Sequence, residues 1–296
     1  MSTYPAAIAG HLSVLQAGPL TTVQDDGRPG LGHLGIGTSG AADRGSFRLA
    51  NRLVGNRQDD AALEMTLGAL VVRAERDLVI AVTGAPCPIT VADIEHGPNG
   101  PITVRAGDRV VFGTPATGLR SYLAVRGGIR VPQILGSRST DILSGIGPDP
   151  LQAGARLPIG PPYGAPPKLD VAGVAAPPLG TLTLRIRPGP RDNWFTSAAL
   201  SALLAGRYEV TGESNRVGMR LSGPTLERSR TEELPSEGMV TGALQVSPSG
   251  QPTLFLADHP VTGGYPVIAV VEQADIDRAA QARPGQHLRF RRATRG

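Results

Sequence analysis

The sequence is poor in residues on which several kinds of catalysis depend. It has one cysteine, Cys87, and one lysine, Lys168, so 28 of its 29 basic residues are arginine. A single cysteine cannot form an internal disulfide, which fits a reducing cytoplasm, and we expect Cys87 to be a small buried residue. Lys168 lies in the segment PPKLD. The chain therefore lacks the lysine of a P-loop, of a biotin carrier, of a Ser-Ser-Lys amidase and of a Schiff-base enzyme.

Aromatic residues and long apolar runs are also scarce. Aromatics make up 4% of the 296 residues, and no apolar run approaches the length of a membrane helix. The arginines do not alternate with aromatics, so the net charge of +4 gives little support to nucleic-acid binding. The five histidines lack metal-ligand spacing, and we predict no metal site. The first residues have no basic n-region, so we expect no signal peptide and a cytoplasmic location.

Glycine and proline are abundant, with 39 and 27 residues. They separate short runs rich in Val, Ile, Leu and Thr, such as ALEMTLGALVV at 62–72, DLVIAVTG at 77–84 and SYLAVRGGI at 121–129. Short strands broken by turn residues are typical of β-barrels and β-sandwiches. The sequence therefore predicts a mainly β fold with a few short helices.

A proline- and glycine-rich stretch at 161–180 divides the chain. We interpret it as the connection between an N-terminal domain, 1–160, and a C-terminal domain, 181–296. TLRIRPGP in the second half parallels SVLQAGP in the first, and ARPGQHLRF resembles VRAGDRVVF. Two matches at similar offsets indicate a duplicated domain.

The stretch 21–56 concentrates polar residues in a glycine-rich loop that runs into a helix. Asp43 is the predicted N-cap, and Gly55 ends the helix. The apolar face of this helix consists of Phe47, Ala50, Leu53 and Val54. Because a helix N-terminus favours anions, the loop is a candidate binding site.

Two further helices are predicted in the second half. The first is capped by Asp192 or Asn193 and ends at Gly206. The second is a short helix at ADIDRAAQ, 274–281. Trp194 and Phe195, beside a Gly-Pro turn, are expected in the core.

Two motifs in the 21–56 loop match known patterns without their structural context. GIGTSG at 35–40 is a literal G-x-G-x-x-G, and GTSGA around Ser39 is close to a nucleophile elbow. Asp258 and His259 would complete a triad with Ser39, or form a polarised pair of their own. Both motifs require a preceding hydrophobic strand, which RPGLGHL is not, so we favour neither interpretation.

Other polar clusters are candidate anion-binding groups. Arg138 lies among hydroxyls in GSRSTD, 136–141, and guanidinium and hydroxyl groups bind carboxylate or phosphate. A turn with a local Asp–Arg pair explains the same residues equally well. Further candidates lie in the second half, where Arg216 follows Asn215, Glu237 precedes a glycine, and Tyr265 occupies a constrained turn.

Taken in order, nine motifs resemble one family. They are TTVQDDGRPGLGHLGIGTSGAAD, NRLVGN, ALEMTLGAL, AVRGGI, LGSRSTD, RPGPRDNWF, SNRVGMRLSG, SEGMVTGALQVSPSGQP and TGGYPVIAVV. Together they are similar to the biotin-dependent carboxyltransferase-like family, which includes the C subunits of 5-oxoprolinase, KipA-like proteins and allophanate hydrolase subunit 2. The resemblance spans essentially the whole chain. This sequence departs from the family pattern at SGAAD, where family members often have SGAMD.

The resemblance implies two similar cyclophilin-like β-barrel domains and a role in a complex. The implied partners are a KipI-like protein and a LamB/YcsF-like protein, and the implied reaction is ATP-dependent opening of 5-oxo-L-proline to L-glutamate. ATP would be used by the complex, with no site locatable on this chain. We expect the chain to be inactive alone and to bind substrate or an intermediate in a cleft between its domains.

If the chain has this role, Asp43 and Glu237 are the catalytic candidates, and Asp43 would hold or polarise a substrate N–H. The substrate-binding candidates are Gln24, Arg28, Ser39, Arg138, Ser139, Thr140, Asn215, Arg216 and Tyr265.

Two alternatives remain open. In the first, the chain is the carboxyltransferase component of a biotin-dependent urea carboxylase or allophanate-pathway system, and biotin is attached to another chain. In the second, it is a KipA-like regulator that binds a KipI-like kinase inhibitor and catalyses nothing.

Overall fold

The computed structural model describes residues 8–168, 171–230 and 232–294. Within these ranges the chain is mainly β-strand, with three α-helices and two 3-10 helices, which confirms the predicted fold class. None of these helices has the length and hydropathy needed to cross a bilayer.

The chain divides into two compact units. The first takes in Met1–Arg28, Asp43–Thr140 and Gly145–Pro177, and the second Pro29–Ala42, Asp141–Ser144 and Pro178–Gly296. The glycine-rich half of the 21–56 loop thus groups with the second unit and its helix with the first. The simpler boundaries 1–160, 161–180 and 181–296 stay a prediction, as does a site between the domains.

The first unit contains two antiparallel sheets. Their strands are β1 (Gly10–Gln16), β2 (Leu20–Gln24), β3 (Ala62–Thr66), β4 (Val71–Ala74), β5 (Leu78–Gly84), β6 (Ile89–Val91), β7 (Ile94–His96), β8 (Pro101–Val104), β9 (Arg109–Phe112), β10 (Arg120–Val125) and β11 (Arg156–Ile159). One sheet has the order β11-β1-β4-β9-β6-β7, and the other β2-β3-β10-β5-β8.

Alternating side chains from both sheets fill one shared core. Leu12 and Val14 of β1 belong to it, as do Leu63 and Met65 of β3, while Glu64 between them faces the other way. This is the period-two pattern of a strand with one face on a core. Cys87 lies in the same core, as predicted.

Helix α1 (Arg44–Leu53) covers the outer face of the five-stranded sheet, packing on β10 and β5. Its N-cap is Asp43, whose carboxylate accepts a hydrogen bond from the backbone N of Ser46 at 2.9 Å. The ring of Phe47 meets that of Tyr122 edge-on, with centroids 6.3 Å apart. The predicted helix, its cap and its buried apolar face are therefore confirmed.

The second unit is built on a closed seven-stranded barrel with the order β12-β19-β16-β17-β14-β13-β20. The strands of this unit are β12 (Leu182–Pro188), β13 (Tyr208–Val210), β14 (Gly218–Ser222), β15 (Glu237–Gly238), β16 (Ala243–Val246), β17 (Pro252–Phe255), β18 (Thr262–Gly263), β19 (Val267–Val271) and β20 (His287–Arg292). Strands β12 and β20 close the barrel in parallel, and β15 pairs with β18 in a separate ribbon.

Helices α2 (Ser197–Ala205) and α3 (Gln273–Ala280) pack on this barrel. The predicted cap of α2 was wrong. Asp192 and Asn193 belong to a 3-10 turn, and Thr196 caps the helix by accepting a hydrogen bond from Ala199 N at 3.1 Å. The intervening Trp194 and Phe195 are buried in the core, as expected, and the extended backbone of Phe195 separates the 3-10 turn from α2.

Candidate functional site

The loop after β2 is joined to the GSRSTD turn by the buried carboxylate of Asp25. Its Oδ1 accepts hydrogen bonds from the hydroxyls of Ser137 and Ser139, both at 2.6 Å, and from Gly27 N at 2.8 Å. Its Oδ2 accepts one from the backbone N of Arg138 at 2.6 Å. A buried carboxylate requires such partners, so this junction fixes the backbone of both segments.

Besides Arg138, four predicted substrate-binding residues lie together in this junction: Gln24, Arg28, Ser139 and Thr140. Gln24 Nε2 donates to the carbonyl oxygen of Thr140 at 3.0 Å, and Arg28 Nη2 donates to that of Ser139 at 2.5 Å. The Thr140 hydroxyl donates to Pro148 O at 2.8 Å. All four are buried. The structure shows them bonded to protein groups, and their binding of substrate stays a prediction.

A polar cleft of about 280 Å³ lies beside the junction, within the first unit. It is lined by Asp25, Asp26, Gly27, Arg57, Asp59, Asp60, Arg130, Gln133, Gly136, Arg138 and Tyr163. Of the predicted site residues, Arg138 lines it. The remaining lining residues were not predicted as site residues, because they come from four separate segments of the chain.

One wall of the cleft is a bonded trio. Arg130 Nη1 lies 3.1 Å from Asp60 Oδ1, and Arg130 Nη2 donates to the hydroxyl of Tyr163 at 2.5 Å. That hydroxyl in turn donates to Asp60 Oδ1 at 3.3 Å. The trio holds a cation, a carboxylate and a phenol in fixed positions at the cleft surface.

Arg138 enters the cleft half-buried. Its Nε donates to Val131 O at 2.8 Å, which orients the guanidinium. Burial lowers its pKa, and the nearby Arg130 cation lowers it further, while the carboxylates of Asp25 and Asp60 offset part of this lowering. Since burial and the Arg130 cation disfavour the charged form, an anion in the cleft would stabilise Arg138.

Asp43 caps α1 above a buried polar network. Its backbone N donates to the Tyr122 hydroxyl at 2.7 Å, and that hydroxyl donates to Glu64 Oε2 at 2.8 Å. Arg120 Nε lies 3.4 Å from Glu64 Oε1. Burial, then the charges of Glu64 and Asp43, raise the pKa of Tyr122 well above its usual value, so the hydroxyl stays protonated. The sequence signal for this network is Glu64, the one charged residue in the segment ALEMT.

The second unit has a buried ion pair of its own. Arg216 Nε and Nη2 donate to the two carboxylate oxygens of Asp258 at 2.8 and 2.9 Å, and Nη2 also donates to Gly40 O at 2.6 Å. The Ser39 hydroxyl donates to Asp258 Oδ1 at 2.6 Å. Two predicted residues, Ser39 and Arg216, thus meet through Asp258. Ser39 has φ 54°, a conformation unusual for a residue other than glycine.

These contacts correct the interpretations of His259. Its Nδ1 lies 2.8 Å from Pro260 O, and its ring stacks on Phe255, whereas Asp258 is occupied by Arg216 and Ser39. Neither the polarised Asp258–His259 pair nor a triad with Ser39 forms.

The remaining predicted residues each make local contacts in the second unit. Glu237 is ion-paired with Arg191, which lowers the pKa of its carboxyl. Asn215 Oδ1 accepts a hydrogen bond from Val217 N at 2.8 Å. The exposed ring of Tyr265 lies under the guanidinium of Arg228, 5.6 Å away. Their roles toward a substrate stay predictions.

Comparison with known proteins gives consistent matches. Residues 34–292 match the carboxyltransferase domain family, subdomains A and B. The chain is 40% identical to the 5-oxoprolinase C subunit of Escherichia coli K12 over 282 residues, covering 94% of this chain and 90% of that protein.

Two solved structures are similar to this chain over nearly its whole length. The crystal structure of TTHA0988 superposes with a TM-score of 0.86 at 36% identity over 97% of this chain and 56% of the other. The Kluyveromyces lactis urea carboxylase does so with a TM-score of 0.87 at 31% identity over 99% of this chain and 28% of the other. This chain thus spans about half of the first and about a quarter of the second.

Proposed function

This chain belongs to the carboxyltransferase family of subdomains A and B, and from that premise we propose that it is the C subunit of an ATP-dependent 5-oxoprolinase. The complex would convert 5-oxo-L-proline, ATP and water to L-glutamate, ADP and phosphate in the cytoplasm. The observation that carries the proposal is the 40% identity to the Escherichia coli C subunit, which extends over 90% of that protein.

The proposal includes partners, because the relatives are named as subunits. We propose a KipI-like protein and a LamB/YcsF-like protein as the other two members of the complex. ATP is assigned to the complex and not to a site on this chain. Its one lysine, Lys168, is exposed in a proline-rich stretch, which does not fit a P-loop.

The test is reconstitution. The purified chain is mixed with the KipI-like and LamB/YcsF-like proteins, ATP, Mg²⁺ and 5-oxo-L-proline, and glutamate is measured over time. We expect glutamate only when all three proteins are present. No glutamate from partners that are active with another C subunit would contradict the proposal, and a tight complex with the KipI-like protein alone would then favour the regulatory role.

A second candidate is supported by the likeness to urea carboxylase. In it, the chain is the carboxyltransferase component that accepts carboxyl from biotin carried by another protein. Biotin enters only here. Retention of this chain on an immobilised biotinylated carrier protein, with no retention on the same carrier lacking biotin, would favour this candidate.

The role of Asp43 can be separated from its helix cap. Asparagine caps a helix about as well as aspartate, whereas alanine at this position costs about 1 kcal/mol. We expect Asp43→Asn to keep the melting temperature and the complex, yet to lower glutamate formation about 100-fold or more, because the negative charge that polarises a substrate N–H is lost.

Asp43→Ala is the companion variant, expected to lose both activity and some stability. Wild-type turnover by Asp43→Asn would remove the Asp43 charge from the mechanism and leave the residue as a helix cap.

A further inference from the structure

The polar cleft of the first unit is lined by an arginine, Arg138, that makes no ion pair within the described residues. Its other charged side chains are paired: Arg130 with Asp60, Arg57 with Asp59, and Asp26 with Arg48. The Asp25 carboxylate is satisfied by hydroxyl and backbone donors.

Arg138 differs from these arginines. Within the described residues, its hydrogen bonds are those of its backbone N and of Nε, and no carboxylate lies within ion-pair distance of it. Its two Nη groups, which form one edge of a planar guanidinium, are left for a ligand. Arginine is suited to binding a carboxylate through two parallel hydrogen bonds.

We propose that this cleft binds a small carboxylate ligand, with the carboxylate on the Nη groups of Arg138 and the polar remainder against Tyr163, Asp60 and Gln133. The carboxylate would give Arg138 the ion-pair partner that Arg130 already has in Asp60. A volume of about 280 Å³ suits a ligand of metabolite size.

The assignment of the ligand class rests on the proposed function, since 5-oxo-L-proline is a carboxylate attached to a neutral ring amide. The exposed amide of Gln133 and the carboxylate of Asp60 offer an N–H donor and oxygen acceptors to such a ring. The site differs from the sequence-based expectation, in which hydroxyls of Ser139 and Thr140 accompany Arg138. The Ser139 hydroxyl is bonded to Asp25 and the Thr140 hydroxyl to Pro148 O.

The test is direct binding to the isolated full-length chain, measured by calorimetry. The probes are 5-oxo-L-proline, its decarboxylated analogue 2-pyrrolidinone, and inorganic phosphate. We expect 5-oxo-L-proline to bind, 2-pyrrolidinone to bind at least 10-fold more weakly, and phosphate not to compete. Arg138→Gln is expected to weaken 5-oxo-L-proline binding about 10- to 100-fold, the effect of losing hydrogen bonds to a charged group.

Arg156→Gln is the matched control. It removes one arginine charge from the same unit, at an exposed pair with Glu75, and is expected to leave binding unchanged. Arg138→Lys keeps the positive charge but lacks the two Nη donors of the guanidinium, and it is expected to bind 5-oxo-L-proline with intermediate affinity. Circular dichroism checks each fold, and the 2-pyrrolidinone comparison needs no variant.

The outcomes separate this site from the proposed function. Absence of 5-oxo-L-proline binding, unchanged affinity in folded Arg138→Gln, or competition by phosphate with equal strength would each overturn the carboxylate site, even if the three-protein mixture makes glutamate. Binding that depends on Arg138, without glutamate formation by the mixture, would support the site and contradict the 5-oxoprolinase proposal.

Discussion

Replacing Arg216 with methionine is expected to lower the free energy of unfolding of the second unit by about 3–5 kcal/mol. The side chains of Arg216 and Asp258 are almost fully buried, with exposed fractions of 1% and 0%. Without Arg216, the Asp258 carboxylate remains in the interior, and its donors among the described residues are the Ser39 hydroxyl and the backbone N of Ile142. An uncompensated buried charge is what makes this change costly.

The measurement is chemical denaturation monitored by fluorescence of Trp194, which lies in the core of the second unit. The matched control is Arg220→Met, because Arg220 pairs with Glu213 at 3.4 Å with both side chains largely exposed. Such a surface pair contributes about 0–1 kcal/mol. A loss of less than about 1 kcal/mol in Arg216→Met, no more than that of a surface pair, would show that Asp258 is not held as a buried charge.

Removing both partners tests whether the loss of stability in Arg216→Met comes from leaving the Asp258 charge unpaired. The double variant Arg216→Met with Asp258→Leu leaves no charge buried at this pair, and replacing a buried pair with apolar side chains is often close to neutral. We expect it to be more stable than Arg216→Met alone.

Asp25→Ala is expected to cost about 3–5 kcal/mol of stability in the first unit, because it leaves several buried donors unsatisfied. The backbone N–H groups of Gly27 and Arg138 and two serine hydroxyls lose their acceptor, and each unsatisfied buried donor costs about 1–3 kcal/mol. Rotation of the hydroxyls toward other acceptors keeps the total below the sum.

Thermal unfolding measures this loss, with Asp108→Ala as the control. Asp108 accepts a hydrogen bond from Arg105 N in an exposed turn, so its loss is expected to cost below about 1 kcal/mol. Asp25→Asn, which keeps one acceptor oxygen, should fall between the two. Equal melting temperatures for Asp25→Ala and the control would mean that the junction is not held by this carboxylate.

Local features of the fold were predictable from sequence. The cap and apolar face of α1 follow from residues that lie close together in the chain, and helix α3 and the short strands are signalled in the same way. The cap of α2 failed because burial of Trp194 and Phe195 overrides the capping preference of Asp192 and Asn193. Tertiary packing decided that boundary.

The site was predictable by residue type but not by partner. Arg138 was identified from its own segment, yet its neighbours Arg130 and Tyr163 are bonded across 33 positions of sequence. Ser39 and Asp258 meet across 219 positions, and no local pattern indicates that contact. The adjacency of Asp258 and His259 suggested a pair that does not form, because the two side chains turn to different partners.

The parallel closure of the barrel constrains the order in which the second unit folds. Strand β12 aligns Leu182 with Leu288 of β20, so the first and last strands of the barrel are neighbours. Bringing them together closes a loop of roughly a hundred residues. The chain loses this conformational entropy before the contacts between the two strands stabilise the barrel. Because β12 is translated before β20, we expect the edge of β12 that pairs with β20 to stay open to wrong pairings until β20 is made.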